Sequence, residues 1–449
     1  MSNQSSGGQP PTGADHFSRS GFIFAAIGSA VGLGNMWKFP YITGKYGGAA
    51  FFLLFVIFLV LVGLPVLLAE MTIGRGGRGS AYTSFRNLSK VKVWGTFGFL
   101  AILGAFMILS FYGVVAGWTL HYAFLSFTGS LFSSSDYGGT FASFSGSYVP
   151  VFWLLVVMVL TGWVVARGIS GGIEKFNKIL IPALLVILLV LMGRALTLPG
   201  AMEGVRFFLK PDFSKLTAES ALVALGHAFF SLSLGMGTML TYGAYVDRRQ
   251  SLGGAAAAIG LGDLFYALLA GMIIFPTSAA FALKADQGPS LIFVVLPAAF
   301  GAMPYGTFFG GLFFVLLAIA ALTSAVSLLE VPVIYAMEKW KLARTKAAWG
   351  TAALIFLVGI PSALSVGGPL SRFTLGGKTY FDLLDFAASN VLLPVGGLVV
   401  TLFTGYAWKK AGEEAGLTGP LYRIWLFVLR YVAPVMILLI FLYSLGLFG

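Results

Sequence analysis

Apolar stretches of about 20 residues or more recur along almost the whole chain, with short polar segments between them. Each is long enough to cross a bilayer. Eleven can be drawn, near 18–43, 47–74, 95–127, 149–167, 173–195, 220–246, 252–283, 306–338, 346–366, 380–408 and 420–447, numbered here spans 1 to 11. Residues near 288–304, Gly- and Pro-rich around an apolar middle, read as an outer loop that folds back as short helices. The pattern predicts an all-α polytopic membrane protein.

Two spans are interrupted. Gly28-Ser29-Ala30-Val31-Gly32-Leu33-Gly34-Asn35 breaks span 1, and Phe229-Phe230-Ser231-Leu232-Ser233-Leu234-Gly235-Met236-Gly237 breaks span 6. A bilayer offers no water to a loosened backbone, so such a break survives only inside protein or beside a cavity. Spans 1–5 and 6–10 each open with a broken helix. Five is odd, so the second set enters the membrane from the opposite side. That is a 5+5 inverted repeat, and its paired breaks point to a transporter's binding site. The expected division is a disordered tail at 1–17, a first repeat at 18–195, an outer loop at 196–219, a second repeat at 220–408 and span 11 within 409–449.

Composition agrees. Hydrophobic residues make up 58%, charged residues 10%, and mean hydropathy is +0.91. A soluble domain carries roughly 25% charged residues. The net charge of +12 does not indicate nucleic acid, because the basic residues form no single patch. They gather in alternate loops: Arg75, Arg78, Arg86, Lys90, Lys92, Arg167, Lys175, Lys178, Arg248, Arg249, Lys339, Lys341, Arg344, Lys346, Lys409, Lys410 and Arg423 on one side. The other side has fewer, in Arg194, Arg206, Lys210, Lys215, Lys284, Arg372 and Lys378. The positive-inside rule then makes the amino terminus cytoplasmic and, after eleven spans, the carboxyl terminus extracellular. Cysteine is absent, so no disulfide or redox role is indicated. The uncharged stretch 1–11 lacks the basic and apolar regions of a signal peptide.

A broken helix exposes N–H groups and a positive dipole end that attract a carboxylate. Its free carbonyls attract sodium or an ammonium group. Gly32 and Gly34 would let the backbone approach a ligand; close helix packing is the other reading of these glycines. Asn35 beside them needs a partner. Asp263 is the one charge between 253 and 283, and a mid-membrane acid is a functional site by default; water at the cytoplasmic end, or a proton, would also account for it. Thr323 and Ser324 are adjacent hydroxyls in an apolar helix, where such groups often bond back to their own carbonyls. Tyr112 carries a buried hydroxyl of undecided use. His16, His121 and His227 have no metal-ligand spacing, and no nucleophile–base pair or metal cluster suggests an enzyme.

The run Gly28 to Asn35, continued by Met36-Trp37-Lys38-Phe39-Pro40, closely resembles the first helix of the neurotransmitter:sodium symporter family. Tyr46-Gly47-Gly48-Ala49-Ala50-Phe51, Gly63-Leu64-Pro65 and Gly74-Arg75 extend the resemblance, and Gly235-Met236-Gly237 looks most like bacterial members. The resemblance implies the leucine-transporter fold and sodium-coupled amino acid import across a bacterial cytoplasmic membrane; a monomer is one possible state, and the residues do not decide it. It implies two sodium sites: a first from the Ala30 carbonyl, Asn35, Ser231, Asp263 and the substrate carboxylate, and a second from the carbonyls of Gly28, Val31 and Ala320 with the hydroxyls of Thr323 and Ser324. The substrate carboxylate would meet Leu33, Gly34 and Tyr112, and its ammonium Ala30, Phe230, Ser231 and Ser233. Its side chain would face Ile108, Phe230, Met236, Ser324 and Leu328. Those walls predict large hydrophobic and aromatic L-amino acids. Gly32 stands where monoamine members carry an acid, which again favours amino acids.

Departures from the family pattern add expectations. The leucine transporter's acid near the first sodium lies one turn after the Asp263 position, where this chain has Ala267, so Asp263 itself is expected to replace chloride. The outer gate is expected at Lys38, Phe230 and Asp385, with lysine unable to make arginine's bidentate fork. Gly172 and Pro182 resemble a Gly-X9-Pro motif that lets helix 5 unwind; an ordinary proline kink is the alternative. A non-transporting amino acid sensor on the same scaffold, a channel, or a symporter of another small zwitterion remain the competing functions.

Overall fold

The computed structural model describes residues 16–133, 135–283 and 291–447. The expected tail at 1–17 therefore lies outside the described residues up to position 15, as do Lys284 and the first residues of the 288–304 loop. The described residues are helical almost throughout and contain no strand. Nine helices among them are long and apolar enough to cross a membrane. They are Ala49–Gly77, Val93–Phe127, Val149–Ala166, Ile169–Leu196, Leu252–Ala280, Gly306–Trp340, Arg344–Ser365, Tyr380–Ala407 and Gly419–Ser444, matching spans 2–5 and 7–11.

The two remaining spans are the interrupted ones. Span 1 is Arg19–Ala30 followed by Gly34–Lys45, bent by 46° at the break. Span 6 is Ala218–Ser231 and Thr238–Ala244, with 232–237 between them. Neither half of span 6 could cross a bilayer alone, at 1.5 Å of rise per residue. The second break is held open by left-handed backbone at Ser233 (φ 55°), Gly235 (φ 81°) and Gly237 (φ 74°). At Gly235 a side chain would also strike the Leu393 carbonyl, so only glycine serves there. Residues of the outer loop do form a short helix, Leu291–Ala302.

Local chemistry sets several of the starts. The Ser18 hydroxyl accepts from Gly21 N and caps span 1. Thr217 and Ser220 cap span 6 reciprocally, and Ser251 caps span 7. Spans 3 and 8 run along each other through the middle, and both are mostly buried; span 11 is mostly exposed and sits at the edge. Span 1 packs on spans 5, 7 and 8. Span 5 is helical from Ile169 to Leu196. Its wider π-helical turn at Ile169–Glu174 contains Gly172, and Pro182 lies inside the following helix, so this state shows a loosened turn in place of an unwound segment.

Candidate functional site

The two breaks meet across a small cavity of about 30 Å³. Ala30, Gly32, Leu33 and Gly34 line it from span 1, and Phe230, Ser233 and Met236 from span 6. Span 3 contributes Ile108 and Tyr112, and span 8 contributes Ser324 and Leu328. Every residue expected around a substrate is brought together here except Ser231, whose hydroxyl is turned to Asp263. The second half of helix 1 begins at Gly34, so its positive end faces the cavity. Leu33 N donates to Tyr112 Oη at 3.4 Å. A side chain at Gly32 would strike Ser324 Oγ and come within 3.2 Å of Tyr112 Oη; one at Gly34 would come within 3.1 Å of the Phe230 ring. Neither position has room for a side chain, a closeness that suits helix packing and the approach of a ligand alike.

Asn35, Ser231 and Asp263 form one interlocked cluster. Asn35 Nδ2 donates to Asp263 Oδ1 at 2.7 Å and to the Asp263 carbonyl at 3.2 Å. Ser231 Oγ lies 2.8 Å from each Asp263 carboxylate oxygen and 3.1 Å from Asn35 Oδ1. All three are buried. Their oxygens come from three spans, with the Ala30 carbonyl at the adjoining end of the first half-helix. A cluster of hard oxygens that includes one carboxyl suits a small hard cation.

The second candidate set is neutral. Ser324 Oγ lies 3.4 Å from the Gly28 carbonyl and 3.2 Å from that of Ser29. Thr323 Oγ1 donates to Ala320 O at 3.0 Å. Val31 ends the first half-helix, its N–H donating to Ile27 O at 2.7 Å. Helix 1 and span 8 thus bring Gly28, Ala320, Thr323 and Ser324 to one seam. The Thr323 contact is also the back-bond expected of any helical threonine.

At the outer approach, Lys38 Nζ sits 4.6 Å from the centre of the Phe230 ring, a cation–π contact. Among the described residues no ion pair within 4.0 Å joins Lys38 to Asp385; Asp385 instead accepts from Ser389 at 2.8 Å. The expected gate residues are therefore only partly joined. The opposite face is bolted by charge: Arg344 to Glu330, and Arg75 to Glu414 at 2.7 Å. Tyr245 Oη adds a hydrogen bond to Glu330 at 2.8 Å.

Sequence reasoning missed Glu70, Ser29 and Ser327. Glu70 is fully buried and its Oε1 accepts from Gly235 N at 2.6 Å, tying span 2 to the second break. A lone acid in the apolar 47–74 stretch was the available signal, the same one that marked Asp263. Ser29 and Ser327 complete the cavity wall, their hydroxyls 2.8 Å apart, and Ser233 Oγ donates to Ser29 O at 2.9 Å. Nothing local distinguishes them from other helical serines.

The chain matches the sodium:neurotransmitter symporter family over residues 14–136 and 144–448. It is 42% identical over 441 residues to an uncharacterized sodium-dependent transporter, YhdH, of Bacillus subtilis, covering 96% of this chain and 97% of that one. An uncharacterized sodium-dependent transporter of Haemophilus influenzae is 36% identical over 444 residues, covering 95% and 97%. The crystal structure of MhsT in complex with L-phenylalanine superposes with a TM-score of 0.89 at 46% identity, covering 96% of this chain and all of that one. The architecture is the leucine-transporter fold, as the family resemblance implied. With similarity running end to end, the chain belongs to the sodium:neurotransmitter symporter family of multi-pass, sodium-coupled membrane transporters.

Proposed function

We propose that this protein imports large hydrophobic and aromatic L-amino acids, with two sodium ions as co-substrates and without chloride, by alternating access. The observation that carries the reading is the Asp263 carboxylate, locked to Asn35 and Ser231 beside a cavity made by both breaks. A mid-membrane charge needs a compensating partner, and a sodium ion sharing this cluster with a substrate carboxylate would compensate it. Asp263 would supply the negative charge that chloride supplies elsewhere. The second ion would sit among Gly28, Val31, Ala320, Thr323 and Ser324. Spans 1–5 and 6–10 would act as two halves of opposite topology, in a bacterial cytoplasmic membrane with the amino terminus inside and the carboxyl terminus outside.

The cavity side chains Ile108, Phe230, Met236 and Leu328 favour apolar substrates, and methionine adapts to varied shapes. The L-phenylalanine bound by MhsT, with its similar fold, supports the same class. Energetically, a tenfold sodium gradient supplies about 1.4 kcal/mol per ion, and 100 mV about 2.3 kcal/mol more. Two ions together supply roughly 7 kcal/mol, enough for accumulation near 10⁵-fold at equilibrium.

The test is sodium-dependent uptake of labelled tryptophan and leucine into proteoliposomes, repeated with Asp263→Asn and Thr323→Ala. Both variants should lose or weaken the sodium dependence. Preference for glycine or GABA over leucine, phenylalanine and tryptophan would overturn the substrate class, and binding without accumulation would make the protein a sensor.

A further inference from the structure

An orphaned oxygen lies at the seam between helix 1 and span 5. Asn177 is fully buried, and its Nδ2 donates to Ile173 O at 2.9 Å. Its Oδ1 has no hydrogen-bond partner among the described residues. Flipping the amide would set two oxygens against each other at Ile173, so the hydrogen bond itself fixes which atom is free. Buried acceptors without partners are rare enough to need a reason.

The free oxygen faces Gly28. A methyl group at position 28 would collide with Asn177 Oδ1 and lie 3.1 Å from Ile181 Cδ1. The carbonyl of Gly28 belongs to the second candidate sodium set, 3.4 Å from Ser324 Oγ. Asn177 therefore stands directly behind that set, on the helix that carries Gly172 and Pro182. The helix is loosened on both sides of it. Ile169–Glu174 is π-helical. Pro182 has no N–H, which strips the carbonyl four residues earlier, that of Lys178, of its helical donor. One turn further towards the start of span 5, Glu174 accepts from Ser18 N at 2.9 Å, Ser18 Oγ at 2.6 Å and Lys178 Nζ at 2.6 Å. That carboxylate is already committed to the amino-terminal cap of helix 1. Among the described residues, the side-chain oxygen of this seam left without a partner is that of the Asn177 amide.

An amide carbonyl is a good ligand for a hard cation. We propose that Asn177 Oδ1 is the oxygen that next receives the sodium ion as it leaves the second site along the helix 1–span 5 seam. The inference rests on the second-site reading given above. Asn177 is a station on the exit path and lies outside the ion's resting shell. Its consequence is that Asn177 sets how readily sodium on the release side re-enters and inhibits turnover.

The full chain in proteoliposomes provides the test, with labelled leucine uptake measured against rising internal sodium. Asn177→Asp should lower the half-inhibitory internal sodium concentration by about tenfold or more, because a carboxylate adds direct attraction. Asn177→Leu should raise it about fivefold, the loss of one neutral ligand. Asn177→Ser keeps an acceptor and should stay within about twofold of the native chain. Opposite shifts for Asp and Leu are a signature that a packing role would not produce. If the Leu variant is not monodisperse, the Asp–Ser comparison carries the test. Shifts in the same direction, or no shift, overturn the proposal. Thr323→Ala tests the second site separately: if it leaves the external sodium dependence unchanged, the second-site reading itself has failed. If it alters that dependence while Asn177→Asp is inert, only the exit station is wrong.

Discussion

The two candidate sodium sites share one unwound stretch of helix 1 and differ in electrostatic character. The first is a charged cluster, in which Asn35 and Ser231 donate to the Asp263 carboxylate. The second holds only dipoles, the Gly28, Val31 and Ala320 carbonyls with the Thr323 and Ser324 hydroxyls. An ion entering the first site meets a full negative charge. An ion entering the second keeps its whole charge inside the protein and is balanced only by oriented dipoles. Low dielectric magnifies that difference. On the proposed reading the contrast implies a division of labour: the first ion would be held together with the substrate carboxylate, and the second would be released beside the π-helical turn of span 5.

The contrast breaks most visibly at Asp263. Asp263→Asn removes the charge and should cut sodium-dependent uptake by about 100-fold or more, since breaking a buried charge pair costs about 3–5 kcal/mol. Initial-rate uptake of labelled leucine measures it; a rate within a factor of a few of the native chain would show that the two sites do not differ as argued. Gly32→Asp probes the space between the sites. Its side chain would run into Ser324 and Tyr112, and leucine binding at saturating sodium should fall by about tenfold or more, as for other overpacked sites. Thr323→Ala removes a single neutral ligand. The half-saturating sodium concentration should rise about fivefold with uptake retained at high sodium, in line with about 1 kcal/mol for one hydrogen-bonding group. Replacing chloride by gluconate is the mildest change and should alter uptake by less than about twofold, because on the proposed reading the Asp263 carboxylate would itself balance the first ion.

Much of this contrast could be read from the residues, and the parts that could not have a common cause. Hydropathy placed the nine uninterrupted spans within a few residues of the helices, because a bilayer-crossing helix must be continuously apolar. The glycines of both breaks and the isolated Asp263 stood out because each violates a membrane rule locally. Glu70 violates the same rule and was passed over; its meaning came only from Gly235 N, in span 6. Ser29 and Ser327 violate nothing, since helical serines commonly bond their own backbone. Asn177 likewise reads as an ordinary polar residue until Gly28 is set against it. The Lys38–Asp385 pair is the opposite case, joined by no ion pair within 4.0 Å among the described residues. The residue types suggest an ion pair, but the lysine lies over Phe230. A side chain's direction depends on tertiary packing that no local pattern records.

The measurement that bears most directly on two unlike, simultaneously used sites is the charge moved per substrate. Proteoliposomes loaded with labelled leucine can be held at a series of potassium-diffusion potentials under a fixed sodium gradient, and the potential at which net flux vanishes gives the coupling ratio. Two sodium ions with one zwitterion predict two positive charges per leucine, unchanged when chloride is removed. A ratio of one charge, or flux indifferent to the sodium gradient, would contradict the account.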